Sequence, residues 1–157
     1  MEKENWKYWL SPKAVFQMTE ESQAMYPQET GGILIGWKDG NTFYIEIAIG
    51  PGPKAIHKRS RFTRDGDFSQ TQLDEIVVET ADQWDYIGEW HSHPRKLGPS
   101  VKDLNSLRKI QMDSSYNIID PILGLLIYEQ SVWNFYCYLF QDDQGLVQIV
   151  QKAYLKK

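Results

Sequence analysis

Two histidines and an aspartate near the middle of the chain have the types and the spacing of metal ligands. His91 and His93 are separated by one residue in the segment EWHSHP (89–94), and Asp103 follows ten residues after the second histidine. Two imidazole nitrogens and a carboxylate oxygen are a ligand set that a catalytic zinc ion uses while its fourth position stays open for water. A structural zinc site is usually closed by four protein ligands, often thiolates, and the chain has one cysteine. The pattern therefore predicts a mononuclear zinc hydrolase.

A strand followed by the start of a helix would bring these ligands together. Residues 84–93 are rich in aromatic and apolar side chains, and in a strand both histidines would lie on one face. Pro94 is expected to end the strand. Ser100 has the place of a helix N-cap, with Asp103 in the first turn. The alternative is that Ser100 and Asp103 form a helix start only and that the histidines are structural; the joint occurrence of all these residues favours the metal site.

The same residues resemble a known family. Catalytic members of the JAB1/MPN/Mov34 (JAMM) metalloprotease superfamily have a glutamate, then His-x-His-Pro, then Ser-x-x-Asp. The upstream segment ETGGILIG (29–36) is similar to the glutamate-bearing segment of that family. Residues 49–65 resemble its compact prokaryotic branch, which includes proteins encoded beside ubiquitin-like conjugation enzymes in antiphage defence systems.

The resemblance implies a role for each site residue. His91, His93 and Asp103 would hold one Zn2+ ion per chain, with a catalytic water in the fourth position. Glu29 would be the general base, and Ser100 would help to hold the oxyanion. Glu89 is a rival for the base because strand alternation places it on the face of the histidines, about 7 Å away along the strand. We favour Glu29, because the family pattern assigns it and because a base must reach the water.

The function implied is that of a zinc-dependent isopeptidase or peptidase that cleaves after the C-terminal tail of a ubiquitin-like protein. It would process precursors or conjugates, with bacterial antiphage defence as the expected setting and E1/E2-like conjugation enzymes as further candidate partners. Two alternatives stay open. One is a non-catalytic MPN-type scaffold domain, and the other is a zinc amidase that acts on another substrate. The presence of every ligand and of Glu29 argues against a scaffold.

Length and composition set the outer bounds. With 157 residues, of which 41% are hydrophobic, we expect one domain over 1–157. One cysteine, no apolar leader and no stretch long enough to cross a membrane predict a cytoplasmic chain without a membrane partner. The net charge of −4 gives no reason to expect nucleic acid. The basic segment from Lys54 to Arg64 is either a solvated face or a docking surface for an acidic partner.

Hydrophobic periodicity and turn residues predict the elements. Helices are expected from Pro12 to about Met25, from a cap at Asp67 or Ser69 to about Gln83, and after Ser100. The expected strands are 32–37, 42–49, 84–93, 121–128, 132–140 and 146–154, with another in the basic segment. The hairpins favour a mixed α/β or α+β domain. The resemblance implies a curved, mainly antiparallel sheet flanked by helices, the cytidine-deaminase-like JAB/MPN fold.

Overall fold

A computed structural model describes residues 5–59 and 61–152. Its elements alternate along the chain, and Pro residues, Gly residues and capping side chains separate them. In order they are β1 (Lys7–Leu10), α1 (Pro12–Met25), β2 (Gly31–Asp39), β3 (Thr42–Ala48), β4 (Ile56–His57), β5 (Phe62–Thr63), α2 (Gly66–Glu79), β6 (Asp85–His93), α3 (Val101–Met112), β7 (Ile122–Glu129), β8 (Val132–Gln141) and β9 (Gly145–Gln151).

Seven of the strands form one closed sheet in the order β1-β3-β2-β6-β7-β8-β9, and β9 pairs with β1 to complete it. Four of its pairings are antiparallel, and the pairs β1–β3, β1–β9 and β6–β7 are parallel. The short strands β4 and β5 form a separate two-stranded sheet. This pair, which we call the β4–β5 arm, lies between β3 and α2 in the chain.

Both faces of the central strands are buried. In β2, Leu34 belongs to the cluster that contains Met18 of α1, whereas Ile33 and Ile35 pack on the other face with residues of α2. A third cluster joins Leu107 and Ile110 of α3 to alternate residues of β7. Strands buried on both faces have continuous apolar runs instead of strict alternation. Burial on both faces accounts for the apolar runs 32–36 of β2 and 122–127 of β7.

The predicted α+β class and the mainly antiparallel, helix-flanked sheet are confirmed. The strand β1 was not predicted, since four residues give too short a pattern. The cap of α2 was predicted wrongly: Asp65 caps the helix by accepting the N–H of Phe68 at 3.2 Å, so α2 begins earlier than expected. It also ends earlier, at Glu79, because the chain turns through positive φ at Ala81 and Asp82.

The last strand ends at Gln151, so Lys152 is not part of it, and the final two residues of the predicted strand, 153–154, lie outside the described residues. The predicted short strand in the basic segment is present as the β4–β5 arm. Across 5–59 and 61–152, no helix combines the length and the apolar composition that a membrane crossing requires.

Candidate metal centre

Pairing between β2 and β6 places Glu29 beside the two histidines. The strands run antiparallel, with Gly31 opposite His91. One step further on, the backbone N–H of Ser92 donates to the carbonyl of Thr30 at 2.8 Å, and the hydroxyl of Ser92 accepts the Thr30 N–H at 3.0 Å. Glu29 precedes β2 by two residues, so this pairing brings its side chain to the end of β6.

The glycines after Glu29 allow the strands to approach this closely. A Cβ on Gly31 would lie 2.2 Å from the carbonyl oxygen of Trp90 and 2.8 Å from the Cβ of His91. A Cβ on Gly32 would lie 1.9 Å from the carbonyl oxygen of Ile49. A side chain at either position would push against backbone, which cannot yield as a flexible side chain can. The Gly-Gly pair is therefore a packing requirement of the site.

Side chains alternate along β6, so the two histidines lie on one face of the strand and Trp90 lies on the other, as predicted. His91 and His93 point to the same side, and one nitrogen from each, with one carboxylate oxygen of Asp103, forms a group whose atoms all lie within 4.8 Å of one another. Trp90 points the other way: it is 1% exposed and its indole N–H donates to the carbonyl of Ile49 at 2.9 Å. The strand ends at His93, before Pro94.

The nitrogen atoms that face this group are available to a cation. The Nδ1 atom of His93 lies 2.8 Å from the carbonyl oxygen of Leu97, so the ring donates there and its Nε2 has a free lone pair. The Nε2 atom of His91 is buried and makes no hydrogen bond within the described part of the chain. It lies 2.8 Å from Oδ1 of Asp103, so the two atoms are in contact, but their geometry is not that of a hydrogen bond. Ligands that converge on a shared point have this geometry.

Helix α3 positions Asp103. Its Oδ2 accepts the backbone N–H of Ser100 at 2.7 Å, while the Ser100 hydroxyl accepts the Asp103 N–H at 3.1 Å. This capping box fixes the carboxylate at the helix start, where both oxygens lie near the histidines. Burial alone would raise the pKa of Asp103, but His91, the Ser100 N–H and His93 outweigh it and lower the pKa to about 2. The group is therefore an anionic oxygen ligand at neutral pH.

Glu29 lies at the edge of the same group. Its Oε1 is 3.8 Å from Nε2 of His93, and its side chain is 14% exposed. Burial raises the pKa of Glu29 above its usual value, and the charge of Asp103 adds to this, against the opposing effect of His91, Lys102 and Arg95. A carboxylate with a raised pKa is a better proton acceptor than an ordinary one.

The β4–β5 arm holds the backbone of Glu29. The N–H of Glu29 donates to the carbonyl of Lys58 at 2.8 Å, and Nδ1 of His57 lies 3.0 Å from the carbonyl oxygen of Glu29. The sequence did not single out His57, the third histidine, because it lies in a basic run with no ligand spacing. Ser92 was also missed, although its place between the two histidines puts it on the opposite face of β6, beside the start of β2.

Glu89, the rival base, has other partners. It accepts the Nε–H of Arg64 at 2.8 Å and a short hydrogen bond from the hydroxyl of Tyr86. Arg64 also donates to the hydroxyl of Tyr116 at 3.0 Å. These contacts tie the β4–β5 arm to β6, and they occupy both oxygens of Glu89. Part of the basic segment is therefore neither a solvated face nor a docking surface.

Glu29, the ligand group and Ser100 all line one cleft of about 750 Å³. The β4–β5 arm, the loop 94–99 and the start of α3 all contribute residues to its lining. This arrangement gives a chain of several residues access to Glu29 and to the three candidate ligands at once. The chemistry it can support is attack of an activated water on a carbonyl in the cleft.

Comparisons with known proteins agree with this geometry. The family model for prokaryotic homologs of the JAB domain matches residues 11–137. A protein of Sinorhizobium fredii named probable metalloprotease y4qB is 30% identical over 128 residues, covering 80% of this chain and 78% of that protein. A Vibrio cholerae protein named CD-NTase/cGAS isopeptidase is 31% identical over 127 residues, covering 79% of this chain and 74% of the relative.

A solved structure shares the fold. The solution structure of a protein from Desulfitobacterium hafniense superposes with a TM-score of 0.60 at 22% identity and covers 95% of each chain. The domain is therefore a JAB domain. The chain belongs to the prokaryotic JAB family, as its His-x-His-Pro and Ser-x-x-Asp segments predicted.

Proposed function

We propose that this chain is a zinc-dependent peptidase or isopeptidase that cleaves after the C-terminal tail of a ubiquitin-like protein. The observation that supports it most directly is the convergence of His91, His93 and Asp103 beside Glu29 in one open cleft. The relatives named as a metalloprotease and as isopeptidases support the same reaction class.

The donor set fits zinc. Two imidazole nitrogens, which are borderline ligands, and one carboxylate oxygen form a set that zinc hydrolases use, and three protein ligands leave a position for the reaction. His93 has the hydrogen bond from its other nitrogen that orients a metal-binding imidazole. When bound, a zinc ion supplies Lewis-acid activation of water and of the scissile carbonyl.

Glu29 is the proposed general base. Its carboxylate lies within 4 Å of the ligand group, and its pKa is raised, so it is placed to take a proton from the attacking water. The same carboxyl would then give that proton to the leaving amine, since the bond that breaks leaves an amine that needs one. Glu89 cannot take this role without releasing Arg64 and Tyr86.

Ser100 is the proposed oxyanion donor. Its hydroxyl oxygen accepts the Asp103 N–H, which leaves the hydroxyl hydrogen free to point into the cleft. A donor at the place where negative charge develops lowers the barrier far more than the same hydrogen bond would in water. Ser100 would thus act both in the reaction and in the helix cap.

A ubiquitin-like tail suits the cleft because an extended chain can lie between the β4–β5 arm and the loop 94–99 with its carbonyl over the ligand group. The connection between α3 and β7 spans only residues 113–121, so it offers little additional surface for a modifier protein. The cytoplasmic location, the setting in antiphage defence and the E1/E2-like partners stay predictions.

The test is cleavage of fusion proteins. Each candidate ubiquitin-like protein is prepared in two forms, one with a peptide fused after its C-terminal glycine and one with that glycine joined to a lysine side chain by an isopeptide bond. Both forms are incubated with the purified zinc-loaded chain, and the masses of the products are measured by mass spectrometry. Glu29→Gln should abolish cleavage, whereas Glu20→Gln, at an exposed carboxylate of α1, should not. Cleavage that survives Glu29→Gln or complete zinc removal would contradict the mechanism.

The two alternatives give different results in the same assay. A scaffold domain would bind a modifier protein without cutting any fusion. A zinc amidase would leave every fusion intact but hydrolyse small amides in a Glu29-dependent way.

A further inference from the structure

The mouth of the cleft is positively charged in a chain that is acidic overall. Four exposed cations line it: Arg59 and Arg61 in the turn of the β4–β5 arm, Arg95 after β6, and Lys102 at the start of α3. We call these four residues the cationic rim. Among residues 5–59 and 61–152, the carboxylates in the lining are Glu29 and Asp103, both of which belong to the candidate metal centre. The net charge of the whole chain is −4.

The rim charges have no partners within residues 5–59 and 61–152. The arginine and lysine ion pairs found there are Arg64 with Glu89 and Lys38 with Asp120. Arg64 follows the rim arginines in the chain and is the member of the basic segment that is satisfied internally. The charges at Arg59 and Arg61 are therefore available to a ligand in the cleft.

The rim acts on the site itself. Lys102 and Arg95 are close enough to the carboxyl of Glu29 to oppose the rise in its pKa. Arg59 and Arg61 line the same cleft and follow Lys58, whose carbonyl accepts the Glu29 N–H. A substrate chain bound in the cleft beside Glu29 would therefore share that cleft with four unpartnered cations.

We propose that the cationic rim selects a substrate with acidic side chains within about three residues of the scissile bond. A volume of about 750 Å³ equals that of a cube roughly 9 Å on a side, and an extended chain rises about 3.3 Å per residue, so about three residues span that distance. This inference rests on the proposed peptidase function and names its substrate chemistry. An acidic peptide fits better than nucleic acid, because the charges converge on one cleft instead of forming a long stripe.

The test compares two peptides that differ only in charge. The probe is a fluorescein-labelled heptapeptide of glycines with Glu at its second and sixth positions, and the control probe has Gln there. Binding to the Glu29→Gln chain is followed by fluorescence anisotropy, so that no cleavage is needed. We expect the Glu probe to bind about three- to tenfold more tightly at about 0.02 M salt, as two exposed ion pairs allow, and the preference to shrink at about 0.3 M.

Charge-neutralising variants locate the effect. The pairs Arg59→Gln with Arg61→Gln, and Arg95→Gln with Lys102→Gln, should each remove most of the preference. The matched control, Lys13→Gln with Lys109→Gln, removes the same charge from exposed positions outside the cleft and should leave it unchanged. Each variant is checked for folding by circular dichroism.

The proposal would be overturned if the chain did not prefer the Glu probe, or if the preference persisted in both rim variants. It would also be overturned if the control variant lost as much of the preference as the rim variants. Tighter, rim-dependent binding of a short single-stranded DNA than of the Glu probe would show a nucleic-acid surface instead. The cleavage assay tests the peptidase function independently of the binding assay. If that function is wrong, the wild-type chain leaves the fusions uncut while the preference for the Glu probe in binding persists.

Discussion

Replacement of Ser100 by alanine separates its two proposed roles. The hydroxyl accepts one hydrogen bond, from the N–H of Asp103 at 3.1 Å, and the Asp103 carboxylate remains tied to the Ser100 N–H at 2.7 Å in the variant. Loss of a serine N-cap costs about 1 kcal/mol, which lowers the melting temperature by about 2–4 °C in a chain of this size. A typical domain with about 5–15 kcal/mol of stability would remain almost fully folded.

The effect on rate should be much larger than the effect on folding. Loss of an oxyanion donor lowers kcat by about 100- to 1,000-fold, equal to about 2.7–4 kcal/mol. Because the unfolded fraction stays negligible, instability cannot produce such a fall. The assay is kcat on a fusion that the wild-type chain cleaves, with the melting temperature measured on the same samples.

Ser11→Ala is the matched control. Ser11 caps α1 by accepting the Ala14 N–H at 3.0 Å, and its hydroxyl also donates to the carbonyl of Glu46 at 2.7 Å. Its loss should destabilise the chain at least as much as Ser100→Ala and leave kcat unchanged. Ser100→Thr, which keeps a hydroxyl, should recover most of the rate. A fall of less than tenfold in kcat for Ser100→Ala would refute the oxyanion role and leave only the cap.

Three further predictions follow from the packing around the site. Gly31→Ala should lower the melting temperature by more than 5 °C, about 2 kcal/mol or more, or abolish metal binding, because the new Cβ would meet the Trp90 carbonyl. The control Gly50→Ala should have little effect, since a Cβ there would have nothing within 4 Å. Glu89→Gln should lower the free energy of unfolding by about 1–3 kcal/mol in chemical denaturation, since it leaves Arg64 without its carboxylate. The variant should still cleave the fusion, and loss of cleavage in a folded variant would make Glu89 the base again. Cys137 should resist iodoacetamide at pH 8 until the chain unfolds, because burial raises its pKa; rapid labelling of the native chain would show that the core is open there.

The local part of the site was predictable from the sequence. Alternation in a strand and the capping signature after Pro94 placed His91, His93 and Asp103 together without any knowledge of the sheet order. The short segment 89–103 contains the whole arrangement, so local rules suffice. The same rules assigned Trp90 to the opposite face, where it is buried.

The position of Glu29 was not predictable in this way. It lies 62 residues before His91 in the sequence, and only the pairing of β2 with β6 brings them together. Periodicity indicates that a strand exists but not which strand it pairs with, so the resemblance alone pointed to Glu29. Closure of the sheet through β9 and β1 is a similar case, since β1 has four residues and no pattern that identifies its neighbours.

The basic segment shows a further limit of sequence patterns. Charge alone suggested either a solvated face or a docking surface, yet Arg64 pairs with Glu89 while Arg59 and Arg61 face the cleft. Which side chain finds a partner depends on the geometry of the β4–β5 arm against β6. The spacing of the basic residues contains no such information.

His91, His93 and Asp103 are proposed to hold one catalytic zinc ion. The most direct measurement adds zinc in steps to the metal-free chain and follows cleavage of a fusion after each addition. We expect activity to rise from zero and to reach its maximum at one zinc per chain, and Asp103→Asn to shift or abolish this rise. Full cleavage by the metal-free chain, or an unchanged titration for Asp103→Asn, would contradict the account.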